Sequence, residues 1–449
     1  MNTLVKEREK VLKTGEQLAK YILDTSFHDL PKEVIHQVKR LILDSVGTIY
    51  MGTRKEEASG IKRFLMKLGV TQDCTIIGAD LKTNCQWAAF SNASYAQVHD
   101  CNDGHLEAAA LGGSAHPGRV VIPTALAVGE KLSSSGKEVL SAIAIGYDVA
   151  VRVRGMSERP PSSAYCAAAI ASRLMGLDID KLRFALGIAG YHSPRNFPTA
   201  QADTNFLSNG YLVKVGIEAA FLADEGFFGP PLGDDRRLST RFTERGLGKE
   251  FEILNTYIKP YPTCRMTHGA IEAILDIKKN TDLKHSDIEE VTINQLTHGM
   301  YIAESKVDTD SYYKTCQFNL PYISACAIID GEITEKQFTK ERIADPIVHE
   351  LAKKIKINPD EDLDAVYPET FRRPTIVEIK TKNGKKHTKH IEYPKGSSKN
   401  PLTDDELFEK FIRWAGPSIT KEKALKIKKS IFELEKLTNV NTFTNLLSA

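Results

Sequence analysis

The chain has 449 residues, and its 60 basic and 58 acidic side chains give a formal net charge of +2. This near-neutral balance gives no electrostatic reason to expect a nucleic acid or a membrane surface as a partner. The length predicts two domains, because a single hydrophobic core stops growing at about 250–300 residues.

The N-terminus and the cysteines indicate a reducing, cytoplasmic location. The opening residues, MNTLVKEREKVLKTGEQ, are charged and lack the apolar core of a secretory signal. No apolar run approaches the roughly 20 residues that a membrane helix needs. The seven cysteines are scattered and form no C-x-x-C pair, which argues against a disulfide framework and a structural zinc site.

The first half of the chain has the periodicity of buried helices. Apolar side chains recur at three- and four-residue spacing over Thr14–Leu23 and Lys32–Met51, and Pro31 marks the expected first turn of the second helix. Further stretches are rich in small residues, which let helices pack closely: Trp87–His99, Pro123–Lys131, Val139–Val153, Ala164–Leu174 and Val213–Asp224. We therefore expect a compact helical assembly.

The pattern changes after about Tyr257. Val291–Thr297 alternates apolar and polar residues, as a half-buried strand does. Thr375–Tyr393 contains two alternating runs around Asn383–Gly384, which predicts a hairpin. Two helices are expected in the same region, His268–Lys279 and Phe318–Ile329.

The C-terminal part is expected to be helical again. Thr403 and Glu406 form a capping-box pattern at the start of a helix. The layout is therefore mainly α: a helical domain of residues 1–257 and 400–449, interrupted by a smaller α+β domain of residues 258–399. Chemistry is expected in the cleft between the two domains.

The densest polar segment is residues 98–123, VHDCNDGHLEAAALGGSAHPGRVVIP. Its titratable and amide side chains are His99, Asp100, Asn102, Asp103, His105 and His116. This composition suits general acid–base chemistry, since such groups need partners or solvent when a loop enters a core. The alternative is that Asp100 and Asp103 are helix caps or turn formers.

Metal and nucleotide sites are not expected. The spacing of His99, Asp103 and His105 permits a metal site, but no H-E-x-x-H element or second carboxylate-rich segment supports one. The glycines at Gly112 and Gly118 lack the Lys-Ser/Thr of a P-loop, and no G-x-G-x-x-G follows a strand.

Lys259–Ile277 is a second candidate segment. Arg265 and His268 are three residues apart near a helix start, and an Arg at a helix N-terminus makes an anion site. The alternative is a surface Arg and a capping His. A Cys264 nucleophile is a weaker interpretation, because no neighbouring signature supports it.

Two further segments carry candidate residues. Tyr322 lies inside an apolar helix, where a buried phenol needs a partner; donation to a substrate and ordinary core packing both fit. His192 and Arg195 follow a Gly-Ile-Ala-Gly helix end, and Lys214 is expected to extend along the surface of an Ala-rich helix.

The ordered set of segments resembles one family. LILDSVGTIYMG, HDCNDGH…HPGRVVIPTALAVGE, KPYPTCRMTHGAIEA and FNLPYISACAIIDGEIT follow in the order of the MmgE/PrpD family. That family includes 2-methylcitrate dehydratase, cis-aconitate decarboxylase and iminodisuccinate epimerase. The resemblance implies a large all-helical domain with an inserted α+β lid, a homodimer, and cofactor-free chemistry on small polycarboxylates.

The resemblance also assigns residues. Asp100 and Asp103 match the first and last Asp of the family's loop, and His116 matches the His of its His-Pro pair. His268 matches the His after its Tyr-Pro segment, and Tyr322 the Tyr of the second lid helix.

Asn102 and Gly104 replace the middle Asp and the following Thr of the family's loop, and two further steps depart from the pattern of the decarboxylase-like members. The His before the Ala-rich helix is absent from SERPPSSAYCAAA, and the Lys step reads NFLSNG, with Asn205 and Ser208 nearest. Two cationic groups are therefore missing. We infer that the replacements are His105, His192 and Arg195.

The function expected is a lyase for a di- or tricarboxylate. Arg265 would bind a carboxylate, His116 or His268 would act as base or acid, and Tyr322 would donate to developing charge. The two aspartates would orient an imidazole. Dehydration is expected first, because the two cations are missing; decarboxylation, epimerisation and polyanion binding without turnover are the alternatives.

Overall fold

The computed structural model describes residues 15–69, 71–105, 116–153, 162–192, 204–230, 246–304, 306–370 and 372–449. The described part is mainly helical, as the sequence predicts, with small sheets. Arg195 lies outside the described residues, and so do residues 106–115 of the polar segment.

The helices before residue 230 form one packed assembly. They are residues 15–24 (α1), Lys32–Thr53 (α2), Ser59–Leu68 (α3), Cys85–Gln97 (α4), Gly118–Leu132 (α5), Gly136–Arg152 (α6), Ser162–Leu174 (α7), Ile179–His192 (α8) and Thr204–Asp224 (α9). Helix α9 packs against α4, α7 and α8, while α5 packs against α4 and α7. Small residues at these contacts allow the close approach that the sequence predicts.

Several helix ends differ from the sequence prediction. Helix α5 begins at Gly118 rather than Pro123, and the proline lies inside the helix. Burial of Val120 and Val121 stabilises the turn that precedes it, which outweighs the cost of an internal proline. Helix α9 extends N-terminally beyond Val213, and Pro31 occupies the N-cap position of α2 instead of lying in its first turn.

The remaining helices lie after residue 230, and the strands are distributed along the chain. The helices are His268–Lys279 (α10), Tyr301–Glu304 (α11), Tyr313–Cys316 (α12), Leu320–Asp330 (α13), Lys340–Ile343 (α14), Pro346–Ala352 (α15), Glu361–Thr370 (α16), Asp404–Ala415 (α17), Lys421–Phe432 (α18) and Asn441–Leu446 (α19). The strands are Cys74–Thr75 (β1), Lys82–Thr83 (β2), Gly104–His105 (β3), Thr256–Tyr257 (β4), Ile288–Gln295 (β5), Ile355–Pro359 (β6), Thr375–Thr381 (β7) and Lys386–Ile391 (β8).

The largest described sheet has the strand order β6-β5-β7-β8. Strands β7 and β8 form the expected hairpin, and Gly384 in its turn has φ +83°, which favours glycine. Strand β6 pairs parallel to β5 and was not predicted, because its alternation spans only Ile355 and Ile357. Helix α10 packs on β7 and β8, and α13 packs on β6 and on α10.

The C-terminal helices return to the N-terminal assembly. Thr403 and Glu406 form the expected capping box at the start of α17, which packs against α2. Lys410 of α17 forms a buried ion pair with Asp44 of α2. Both ends of the chain therefore share one helical assembly, whereas the separate lid domain of residues 258–399 stays a prediction.

The cysteines and the helices bear on two further expectations. All seven cysteines are buried free thiols, in agreement with their irregular spacing. Among the helices that the structure describes, none is long and apolar enough to cross a membrane.

Candidate active site

The candidate site is built on the loop that joins α4 to β3. The last carbonyl groups of α4 and the loop point at side chains from distant segments. Lys314 Nζ donates to the Gln97 oxygen at 2.8 Å, and Gln317 Nε2 donates to the His99 oxygen at 2.9 Å. A cation at a helix C-terminus is electrostatically favourable, so the contact of Lys314 with the end of α4 stabilises the packing of α12 against α4.

Asp100 forms a buried ion pair in this loop. Lys259 Nζ lies 2.8 Å from both the Asp100 carboxylate oxygen Oδ2 and the Asp100 backbone oxygen. Sequence reasoning missed Lys259, although a lysine directly before the prolines of KPYP is the signal that could have found it. The ion pair compensates for burying two charges, and it fixes the loop against the segment that follows β4.

Asp103 caps helix α5 from across the loop. Its carboxylate accepts hydrogen bonds from the Gly118 backbone nitrogen at 3.0 Å and from the Tyr147 hydroxyl at 2.8 Å. Burial, together with the charge of Asp44, raises the pKa of the Asp103 carboxyl to about 7. The two hydrogen bonds lower this pKa, but their effect is smaller. The capping alternative therefore describes this side chain.

His116 contacts the backbone of Asp103 rather than the expected carboxylate. Its Nδ1 atom lies 2.6 Å from the Asp103 carbonyl oxygen. Since a carbonyl oxygen only accepts, Nδ1 carries the proton, and Nε2 of the neutral ring carries the lone pair. The half-buried imidazole also packs edge-on against Tyr257, whose strand β4 pairs with β3.

Arg265 and His268 are buried, which excludes the surface alternative. The Arg265 guanidinium donates to the backbone oxygens of Pro394 at 2.9 Å and Lys395 at 2.8 Å, and Nη1 lies 3.1 Å from His268 Nδ1. Because the guanidinium only donates, Nδ1 accepts, and Nε2 donates to the Thr263 oxygen at 3.3 Å. The clamp and acid–base roles stay predictions.

Burial sets the protonation of this pair. It lowers the pKa of His268 well below its ordinary value, and the charge of Arg265 lowers it further. Burial also lowers the pKa of Arg265 to about 10, a value at which the guanidinium is still charged near neutral pH. The imidazole is therefore neutral.

Tyr322 lies in a different set of contacts. Its hydroxyl donates to the Gln337 backbone oxygen at 2.6 Å, and its ring packs near Phe338 and His349. Burial raises the pKa of its phenol. These contacts fit the core-packing alternative, and the catalytic assignment stays a prediction.

His105 belongs to a buried charge network. Its Nε2 atom lies 3.2 Å from Glu252 Oε2, and Arg152 Nη2 lies 3.4 Å from Glu252 Oε1. Burial opposes ionisation of Glu252, but His105 and Arg152 outweigh it and lower the pKa of this carboxyl. Glu252 and Arg152 were not among the candidate site residues of the sequence.

The remaining two predicted residues are His192 and Arg195. His192 ends α8 and is exposed, with its ring against that of the equally exposed Tyr191. Arg195 cannot be placed, because it is outside the described residues. Within those residues, no three His, Cys, Asp or Glu side chains form a group that could hold a metal ion.

Two cations near Asp100 were missed by the sequence analysis. Burial lowers the pKa of Lys314 to about 7 and that of Arg119 to about 10. Arg119 lies in the first turn of α5, and its buried Nε atom has no hydrogen-bond partner in the described part of the chain. Lys314 belongs to no recognisable motif, and Arg119 lies in the polar segment 98–123 but was not among its candidate residues.

The fold and this loop define a class of protein in which a helical scaffold encloses a group of buried charged side chains of both signs. Comparison with known sequences identifies the family. The MmgE/PrpD N-terminal domain matches residues 16–233, and the MmgE/PrpD C-terminal domain matches residues 261–435. The chain belongs to the MmgE/PrpD family, as its sequence motifs predict.

Curated relatives are similar over nearly their whole length. A cis-aconitate decarboxylase-like protein of Aspergillus oryzae is 25% identical, with 96% of each chain covered. The cis-aconitate decarboxylase of Mus musculus is 25% identical over 96% of this chain and 93% of its own. That of Homo sapiens is 25% identical over 93% and 91%.

Proposed function

We propose that this protein is a lyase that acts on a small di- or tricarboxylate without a cofactor, most simply by decarboxylation. The observation that carries the proposal is the group of cations around Asp100: the buried Lys259 and Lys314, and the half-buried Arg119, which lies three residues after His116. Such an excess of positive charge suits a substrate that is itself a polyanion. The cis-aconitate decarboxylases among the relatives support the choice of reaction.

The expectation of dehydration rested on two missing cations. Lys314 and Arg119 supply positive charge from other segments, so that reason no longer favours dehydration over decarboxylation. Dehydration is the second candidate. It is favoured by the neutral residues, Ser163 and Asn205 among them, that stand at the two departures from the family pattern.

The proposed reaction breaks one carbon–carbon bond and forms one carbon–hydrogen bond. Carbon dioxide leaves, and the bonding electron pair remains on the substrate carbon, delocalised into the neighbouring unsaturated system and its carboxylate. Fixed cations stabilise this negative charge. The cationic form of His116 would then deliver a proton from Nε2 to the carbon, since Nδ1 is held by Asp103.

One experiment separates the candidate reactions. The protein is incubated with cis-aconitate, 2-methylcitrate, citrate and iminodisuccinate in deuterated water and followed by proton NMR. We expect loss of carbon dioxide from cis-aconitate with one deuterium retained in the product. A new vinyl signal from 2-methylcitrate without carbon dioxide would favour dehydration, and exchange alone would favour epimerisation. No change in any substrate would contradict the lyase.

We also propose a homodimer, which the resemblance to the family implies. Large aromatic side chains are exposed near α8 and α9: Tyr191, Tyr211, Phe227 and Phe228. Exposed aromatic groups of this kind are enriched in protein interfaces. Sedimentation equilibrium should give about twice the chain mass of 49.8 kDa. A monomer at micromolar concentration would contradict this proposal.

A further inference from the structure

A chain of hydrogen-bonded neutral side chains lies at the two steps where the sequence departs from the decarboxylase-like pattern. Ser163 Oγ donates to Asn209 Oδ1 at 3.3 Å, and Asn209 Nδ2 donates to Gln97 Oε1 at 2.9 Å. Gln97 Nε2 in turn donates to Asn205 Oδ1 at 3.1 Å. The two departures from the family pattern, on α7 and α9, therefore converge on one glutamine at the end of α4.

A buried lysine from another segment contacts the same glutamine. Lys314 Nζ donates to the Gln97 backbone oxygen at 2.8 Å, and its side chain is almost wholly enclosed. An ammonium group thus lies beside the neutral chain, although it comes from α12. Lys314 therefore supplies a positive charge from α12, beside the neutral residues of α7 and α9.

The charges around the loop do not balance. Lys259 is paired with Asp100, while no carboxylate of the described residues forms an ion pair with Lys314 or Arg119. Arg119 lies in the first turn of α5, directly after Gly118, whose backbone nitrogen donates a hydrogen bond to the Asp103 carboxylate. Buried cations normally have anionic partners, because removing a charge from water is costly. The imbalance therefore indicates a ligand with negative charge.

We propose that Lys314 and Arg119 form the subsite that binds one carboxylate of the substrate, in place of the cations missing from α7 and α9. The identity of the substrate rests on the proposed function, but the subsite requires only a small polycarboxylate. Both side chains would donate charge-assisted hydrogen bonds to the same carboxylate. Their separation in the sequence explains why the motif that contains Arg119 does not reveal the pair.

Binding at this subsite is linked to a proton. Burial lowers the pKa of Lys314 to about 7, and the charged groups acting on it are Asp100, which raises it, and Arg119, Lys259 and Lys55, which lower it. Burial lowers the pKa of the neighbouring His99 imidazole, and the charge of Lys314 lowers it further. A bound carboxylate raises the pKa of this ammonium, so binding takes up a proton above pH 7, and affinity falls as pH rises.

The test uses propane-1,2,3-tricarboxylate, a tricarboxylate without a reactive double bond. Isothermal titration calorimetry at pH 8, in two buffers of different ionisation enthalpy, measures both Kd and proton uptake. Lys314→Met should raise Kd by about 10-fold or more and abolish proton uptake, since charged hydrogen bonds are lost. Arg119→Gln should raise Kd by about 10-fold as well.

Lys314→Arg distinguishes binding from a merely structural role. Its guanidinium is charged throughout this pH range, so the variant should keep its affinity at pH 8 while proton uptake disappears. A structural role would not separate these two readouts. This variant also keeps the test decisive if Lys314→Met fails to fold.

Lys278→Met is the matched control. Lys278 also donates to a helix-end carbonyl, that of Ile329 at 2.9 Å, and burial also lowers its pKa, but it belongs to the α10–α13 contact. Its Kd should stay within about twofold of the wild type, an affinity change below about 0.5 kcal/mol. A similar weakening in both lysine variants would overturn the assignment of Lys314.

The outcomes separate this inference from the proposed reaction. Binding of the tricarboxylate that depends on Lys314, without turnover of any of the four substrates, would retain the subsite and reject the reaction. Turnover with unchanged KM in folded Lys314→Met and Arg119→Gln would reject the subsite and retain the reaction. Absence of tricarboxylate binding by the wild type would also reject the subsite.

Discussion

The ammonium of Lys259 lies 2.8 Å from two oxygens of Asp100, one on the side chain and one on the backbone. Asp100 has φ +48°, in the left-handed region, which aspartate tolerates better than most residues. One lysine therefore neutralises the carboxylate and holds the turn in which that carboxylate lies. The loop between α4 and β3 depends on this pair for its conformation.

Removal of Lys259 should destabilise the protein strongly. Lys259→Met leaves the buried Asp100 carboxylate without its cation, which we expect to cost about 3–5 kcal/mol in urea unfolding. The control is Lys356→Met, because Lys356 forms an exposed ion pair with Glu290 that solvent screens, so its loss should have little effect on stability. Equal losses in the two variants would contradict a structural role for the buried pair.

The approach of Asp103 to helix α5 requires a glycine. A Cβ atom at residue 118 would overlap the Asp103 carboxylate and lie 2.8 Å from the Tyr147 hydroxyl. Gly118→Ala should therefore cost about 1–3 kcal/mol and reduce turnover, because the loop that carries Asp103 must shift. Gly60→Ala in the exposed helix α3 is the control and should be neutral or stabilising. Thermal unfolding and the NMR assay give the two readouts.

The Asp103 carboxyl should make stability depend on pH. Its pKa is raised from 3.8 to about 7, so the folded protein holds this proton more tightly than the unfolded chain. The resulting stabilisation is fully present below the unfolded pKa and is lost as pH rises through about 7. Asp103→Asn should show a smaller loss of unfolding free energy between pH 5 and pH 8 than the wild type. Identical pH profiles would show that Asp103 does not titrate in this range.

His116 is the imidazole that we expect to transfer a proton. His116→Ala should lower kcat by about 100-fold or more with little change in folding, since the ring is only half-buried. His390→Ala, on the exposed face of β8, is the control and should retain the wild-type rate. Wild-type kcat in His116→Ala would remove this residue from the mechanism.

Tyr322→Phe tests the catalytic assignment made from the family resemblance. The hydroxyl already donates to the Gln337 oxygen, so its loss should cost about 1–3 kcal/mol of stability. We expect kcat to stay within about threefold, because the loss affects packing and not proton transfer. A large fall in kcat with unchanged stability would support the catalytic assignment of Tyr322 instead.

The local elements of this fold were predictable from the sequence. The hairpin around Gly384, the capping box of Thr403 and Glu406, and the helix His268–Lys279 all depend on residues close together in the chain. Periodicity and turn chemistry express such short-range preferences directly. The polar segment that contains Asp100 was recognised for the same reason, and the ordered motifs identified the family.

The charge distribution of the site was decided by the tertiary structure alone. Arg119 and Lys259 lie in two of the motif segments and Lys314 lies outside them, and nothing in the sequence shows that the three cations come together around Asp100. Burial then sets their protonation, because desolvation acts only after the chain has folded around them. Composition and motifs therefore determined the family and the helical scaffold of this protein. Long-range packing determined which cations surround the loop, since electrostatic interaction depends on distance in space and not along the chain.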